Sequence, residues 1–399
     1  MTSSFSKPRL LTIGATVALL VAACGGGGAS TAPTVAPTAA ATEAPSAAAS
    51  APASAAAGGP AAWVPDPTLL TAAKAEGGLT TIALPPTWCD YQDLLSGFTS
   101  ATGIQINNLN PDGSSQSELD AITANKANKG PAAPDVVDVG LAYGPKGVAA
   151  GLFAPYKVAG WNDIPDSAKD ANGYWYGDYY GVMSFEVNTS VITTLPQDWS
   201  DLLNEPANSV ALAGDPTGSN QAVSAVWAAG IGTGGSLDNA QPGLDFFKQL
   251  NDKKIFVPVI AKSATVASGE TPIVLAWTYN ALADRDQLNG NPPVTVVVPK
   301  SGKLGGMYVQ AISAYAPHPN SAKLWMEWLY SDQGQNVWLK GYCNPIRYDA
   351  MVKAGTVDPT LAAKLPDSSG AALPTLDQIT KANTVITTGW PTTVGVTVH

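Results

Sequence analysis

Histidine is almost absent from these 399 residues: only His318 and His399 occur, the second as the last residue. General-base catalysis and histidine-built metal centres therefore have little to draw on. No G-x-S-x-G, C-x-x-C or H-E-x-x-H pattern occurs, so the local signatures of a nucleophile elbow, a thiol redox pair and a metalloprotease helix are missing. Asp284 and Asp286 flank Arg285 on a predicted helix, which reads as a solvated charge cluster and not a catalytic dyad. An exported hydrolase is the rival class, and these absences weigh against it. The reading is of a non-enzyme with no cofactor and no metal.

Positive charge is scarce as well. Lys and Arg number 21 against 31 Asp and Glu, a formal charge of −10, which repels nucleic acid and anionic lipid surfaces. Long apolar runs are limited to residues 10–23, which follow Lys7 and Arg9 and are too short to span a bilayer comfortably. This is the pattern of an export signal. It ends in Val21-Ala22-Ala23-Cys24, which resembles a bacterial lipobox, and the resemblance implies that residues 1–23 are removed and Cys24 is lipidated. Residues 24–62 are rich in Ala, Pro, Ser, Thr and Gly with almost nothing bulky to bury, the composition of a disordered tether. The expected location is the outer face of the cell membrane, held by the lipid alone.

From Trp63 onward the chain is long enough for about two domains of ~150 residues. Residues 79–84 read as a strand and residues 91–102 as a helix with Leu94, Leu95 and Phe98 on one face, stopped by Gly103. A strand at 104–109, a helix at 115–128 after the Asp112-Gly113 turn, and a short buried strand at 136–139 follow. Strand, helix, strand, helix, strand implies a parallel sheet. Residues 175–188 read as one long strand. A second series follows: strand 210–213, a helix from Ser219, strand 273–277 and a helix through Leu288. Strand 308–312 and Trp-rich helices at 321–330 and 332–340 then return to the first unit. Ligands in such open sheets sit beyond the carboxyl ends of the strands, which puts residues 86–91, 110–115 and 140–143 around one crevice.

This arrangement looks like the two-lobed α/β type II periplasmic-binding fold with two crossover strands. Phe98-Thr99 to Thr102-Gly103-Ile104, Pro134-Asp135-Val136-Val137 and Gly341-Tyr342 to Pro345 resemble recurrent phrases of family 1 solute-binding proteins. The resemblance implies a first lobe at 63–183, a second at 184–306, a return at 307–347, and a C-terminal extension at 348–399 packing on the first lobe. It also implies a monomeric receptor whose partners are a small solute and the permease subunits of an ABC importer. The lobes would close about hinges at 184–188 and 305–308.

Trp88-Cys89-Asp90-Tyr91 resembles the box with which polyamine receptors grip an alkylammonium, a cation that gains from aromatic faces and a carboxylate. Trp277 is the expected opposing wall. At residues 307–310 those receptors carry an aspartate where this chain has Gln310. The loop at 214–221, with Asp215 and Ser219, resembles an anion-binding turn of phosphonate or sugar-phosphate receptors, so an aminophosphonate or organophosphate is an alternative to putrescine or spermidine. Ferric iron is a third, raised by Tyr179-Tyr180, a pair read here as mainly structural. Ser114, Tyr143 and Glu186 complete the expected contact set. In this fold the loops carrying Cys89 and Cys343 lie side by side, which implies a disulfide between them.

Overall fold

The computed structural model describes residues 60–399. The leader, Cys24 and the tether up to residue 59 lie outside the described residues. Helix α1 (Pro67–Glu76) is capped by Asp66, whose carboxylate accepts from the Leu69 amide at 2.8 Å. Strands β1 (Leu79–Ile82) and β2 (Ile106–Leu109) pair in parallel around α2 (Tyr91–Thr102), which buries Tyr91, Leu94 and Phe98 at helical spacing. Helix α3 (Ser115–Ala124) leads to β3 (Val136–Gly140), then α4 (Tyr143–Ala149) and the short β4 (Phe153–Ala154). The Asp135 amide donates to the Thr80 carbonyl at 2.8 Å and the Thr80 amide to the Asp135 carboxylate at 2.7 Å, fastening β1 beside β3.

Strand β5 (Tyr176–Asn188) is 13 residues long. The second lobe then runs β6 (Val210–Leu212), α5 (Asn220–Gly232), α6 (Gln241–Asp252), β7 (Phe256–Ile260), α7 (Ser263–Ser268), β8 (Ile273–Trp277), α8 (Thr278–Leu288) and β9 (Val294–Val297). Strand β10 (Gly305–Ser313), helices α9 (Pro319–Leu329) and α10 (Asp332–Lys340), and β11 (Asn344–Pro345) rebuild the first lobe. Helices α11 (Tyr348–Ala354), α12 (Pro359–Ala362) and α13 (Leu376–Thr393) close the chain.

One long strand serves both lobes. Tyr176 to Val182 of β5 face β10 in antiparallel register, and Met183 to Val187 face β8. Parallel pairs of β6 with β7 and β8 complete the second sheet. Nearly every residue of β5 is buried, because helices or loops cover both of its faces. Among the described residues no helix is long and apolar enough to cross a membrane.

The C-terminal extension corrects an expectation. Its first part does join the first lobe, where the Asp358 amide donates to Asn336 Oδ1 at 2.7 Å. Ala372 then pairs with the crossover, accepting from the Gly305 amide at 2.9 Å. Beyond it α13 packs on α5 and α6, with the Trp390 ring 5.4 Å from Phe247 and 5.7 Å from Phe256. His399 exchanges backbone bonds with Pro258 and Ile260 at the edge of β7. The extension thus ends on the second lobe, because its apolar stripe of Ile386 and Trp390 finds the aromatic face of α6 there. The chain crosses between the lobes three times.

Candidate ligand cleft

A cavity of about 740 Å³ lies between the lobes. On the first-lobe side the chain leaves β1 through a tight turn in which Cys89 and Asp90 hold left-handed φ of +48° and +59°. The turn is braced by a bond between the Sγ atoms of Cys89 and Cys343, whose Cα atoms lie 5.6 Å apart. It presents Trp88 to the cavity. The Trp88 indole donates to the Tyr179 hydroxyl at 2.6 Å, and its ring centroid lies 5.3 Å from both Tyr279 and Tyr308. Tyr308 stacks on Tyr179. Aromatic residues from β5, α8, β10 and the β1 loop therefore meet at one corner.

Beneath that corner lie carboxyl groups that pair with no cation among the described residues. Asp138 on β3 is buried; its Oδ2 accepts from Tyr91 at 2.7 Å and Tyr179 at 2.8 Å, while its Oδ1 has no partner. Burial raises its pKa to about 7, against the lowering pull of the two phenols. Glu118 on α3 accepts from the Asp138 amide at 2.9 Å; burial, then the Asp138 charge, pushes it well above the ordinary range. Asp178 is raised by the same two causes in the same order. Glu118 and Asp138 line the cavity.

On the second-lobe side Ser219 caps α5, accepting from the Ala222 amide at 3.4 Å, and Asp215, Gly218, Asn220 and Gln221 line the wall with Lys262. Glu186 of β5 and Asp284 of α8 lie deeper. Burial, then the neighbouring Asp284 charge, raises Glu186 strongly; burial raises Asp284 to about 6, offset by a bond from Ser263. Among the described residues, six carboxylates (Asp112, Glu118, Asp138, Glu186, Asp215, Asp284) line the cavity against the single lysine Lys262. The walls touch where an added Cβ at Gly140 would lie 2.4 Å from the Asn220 side chain, and where the Tyr143 hydroxyl donates to the Gly218 carbonyl at 3.4 Å.

Of the expected contact residues, Trp88, Ser114, Glu186, Asp215 and Ser219 line this cavity, and Tyr143 bridges its walls. Four do not line it. Asp90 turns to Lys340, 2.9 Å from its Nζ, because the left-handed backbone aims it outward from the wall. Tyr91 is wholly buried under Asp138 and packs edge-on against Trp338. Trp277 is wholly buried against Gly306, where no Cβ would fit, so the wall it was expected to form is supplied by Trp88 and Tyr308. Gln310 donates to Tyr91 at 2.9 Å and Asp178 at 3.0 Å inside the core. The carboxylate missing at 310 stands directly across the ladder, since Gln310 is the register partner of Asp138. Asp284 leaves the solvated cluster to which it was assigned: Arg285 and Asp286 pair on the surface at 2.7 Å while Asp284 faces the cavity.

The sequence profile described as "Bacterial extracellular solute-binding protein" matches residues 133–381. The chain belongs to that family. Its members bind solutes and are not enzymes. An uncharacterized protein of Haemophilus influenzae is 27% identical over 219 residues, which are 51% of this chain and 60% of that one; the chain thus spans about three fifths of the length of this curated relative. Among solved structures, iron-bound HitA from Pseudomonas aeruginosa superposes with a TM-score of 0.61 at 20% identity, covering 80% of this chain and 99% of that one. The periplasmic binding protein AfuA from Actinobacillus pleuropneumoniae, with fructose-6-phosphate bound, gives 0.59 at 20% identity over 80% and 98%. AgtB from A. tumefacien R10 in complex with agropinic acid gives 0.62 at 16% over 80% and 99%. These likenesses establish the two-lobed fold of the family.

Proposed function

We propose that the protein is the solute-capturing component of an ABC importer, tethered outside the cell by lipid on Cys24, and that its solute is a small polyammonium compound of the putrescine and spermidine kind. The observation that carries the ligand class is the lining of the interlobe cavity, among the described residues six carboxylates against one lysine, beside the rings of Trp88 and Tyr308. A buried carboxyl that is costly to ionise in an empty cleft becomes favourable once an ammonium group pairs with it. Aromatic faces add roughly 0.5–2 kcal/mol each for a cation. The body begins as a monomeric two-lobed receptor at Trp63, and closure about residues 184–188 and 305–308 buries the solute before docking on a permease.

The anion and iron alternatives have less support. In the 214–221 loop the Asp215 carboxylate itself accepts from the Thr217 amide at 2.9 Å and hydroxyl at 2.7 Å, and its carbonyl takes the Gly218 and Ser219 amides. A negative charge already occupies the place where a phosphate would bind. Tyr179 and Tyr180 point to opposite faces of β5, as neighbours in a strand must, one toward Asp138 and the other toward a separate cavity with Tyr348.

The test is a thermal-shift panel with putrescine, spermidine, 2-aminoethylphosphonate, hexose phosphates, phosphate and ferric citrate, since a ligand selective for the folded state raises its melting temperature. A saturable shift with polyamines alone is expected. A shift only with phosphorylated compounds would move the site to Ser219 and Lys262 and overturn the cation reading.

A further inference from the structure

The cavity does not end at the aromatic corner. It continues into the second lobe, between the sheet face formed by β5 and β8 and the helices α7 and α8. Asn280, Asp284 and Gln287 of α8 fall at i, i+4 and i+7 and line it along one helical face. Val266, Val274 and Ala276, all nearly inaccessible to solvent, form the apolar part of its walls, and Ser263 and Lys262 stand with the α8 residues in the polar part. Its floor is Glu186, only 2% exposed, whose Oε1 has no hydrogen-bond partner. A partly apolar sleeve that ends in an unsatisfied carboxylate, with the carboxyl of Asp284 beside it, two acids against the one lysine, is complementary to an alkyl chain ending in a cation: methylenes gain from the valine and alanine side chains and the terminal charge from the floor.

Distance restricts what can use it. Tyr279, which touches the Trp88 ring, packs against Gly181. Gly181 and Glu186 are five steps apart on β5, roughly 17 Å along the strand, and point to opposite faces of it, whereas Asp284 stands five residues after Tyr279 on α8, about 8 Å along the helix axis. An ammonium held at Trp88 and Asp138 cannot at the same time pair with Glu186 and Asp284, so a ligand that uses both places needs a further ammonium, which a linear tri- or tetraamine carries.

We infer that the Glu186–Asp284 chamber is a second cation-receiving pocket that takes the distal ammonium of an extended polyamine and so selects ligands by length. The inference rests on the cation reading of the main cleft. Binding of the full chain to butylamine, putrescine, spermidine and spermine is measured by titration calorimetry, for the wild type and for Glu186→Gln, Asp284→Asn and Asp138→Asn. Affinity is expected to climb from putrescine to spermine by at least about tenfold. Glu186→Gln and Asp284→Asn are expected to compress that ratio toward one, whereas Asp138→Asn weakens all the amines together. Spermine binding the wild type no more tightly than putrescine overturns the inference and leaves the cation reading standing; so does a Glu186→Gln variant that binds amines with the wild-type ratio. The wild-type ladder needs no variant to fold. Failure of every amine to bind the wild type overturns both.

Discussion

The Tyr179 hydroxyl donates to the Asp138 carboxylate at 2.8 Å while accepting the Trp88 indole proton at 2.6 Å. A cleft-lining aromatic residue is thereby held in place by a buried acid two links away. Tyr179→Phe leaves the indole N–H without its acceptor and removes one of two donors from Asp138. A buried donor left unpaired costs about 1–3 kcal/mol, so the variant is expected to melt several degrees lower and to bind its solute more weakly. A wild-type melt and affinity would show that Trp88 is held by ring packing alone.

Acidification is expected to stabilise the unliganded protein. The carboxyls of Asp138 and Asp284 titrate near 7 and 6 in the folded state, both raised first by burial, against about 4 when unfolded. Between those values the folded chain holds protons that the unfolded chain has released. Folding therefore takes up protons, and stability falls as pH rises through that window. Melting temperature should increase by a few degrees from pH 7 to pH 5, and Asp138→Asn should flatten part of the slope.

Gly140 and Asn220 sit where the lobes meet. A larger residue there is a wedge. Gly140→Val is expected to lower solute affinity at least about tenfold by opposing closure, and to enlarge the radius of gyration of the liganded protein in solution scattering. An unchanged affinity would mean that capture does not need these walls to touch.

The Cys89–Cys343 bond joins residues 254 apart in sequence. Closing so long a loop restricts the unfolded chain, and loss of such a bond typically costs 2–5 kcal/mol. Reduction, or the double change Cys89→Ala with Cys343→Ala, should lower the melting temperature markedly. Alkylation followed by mass measurement on the unreduced protein checks that neither thiol is free.

If Cys24 carries the proposed lipid, Cys24→Ser should release the protein from the membrane fraction while leaving solute affinity unaltered, because Cys24 stands well before Trp63 in the sequence. Retention in the membrane fraction would contradict anchoring at this residue.

How far the chain could be read in advance varies with the kind of signal. Helix α2 was legible to the residue, since Leu94 and Phe98 recur at helical spacing and Gly103 ends it in the left-handed conformation. The span containing α6 and β7 carries a weaker signal, in which Leu244, Phe247 and Leu250 mark the buried stripe of the helix. Asp138 had one visible signal, a lone acid inside Val136-Val137-Asp138-Val139. Its neighbours place it in a buried strand, as found, but the local pattern does not show which groups meet its charge.

The sequence by itself determined the fold class, the acidic character and the order of the two lobes, because these follow from local periodicity and composition, which neighbouring residues express without help from distant ones. Which acids face the cavity was decided only by tertiary structure. Asp90 and Asp138 are alike as residues, but a left-handed turn aims one at Lys340 and a ladder register sets the other under Trp88 and Tyr179. Turn handedness, strand register and the lobe on which α13 comes to rest depend on partners far away in the chain, and no local pattern carries them.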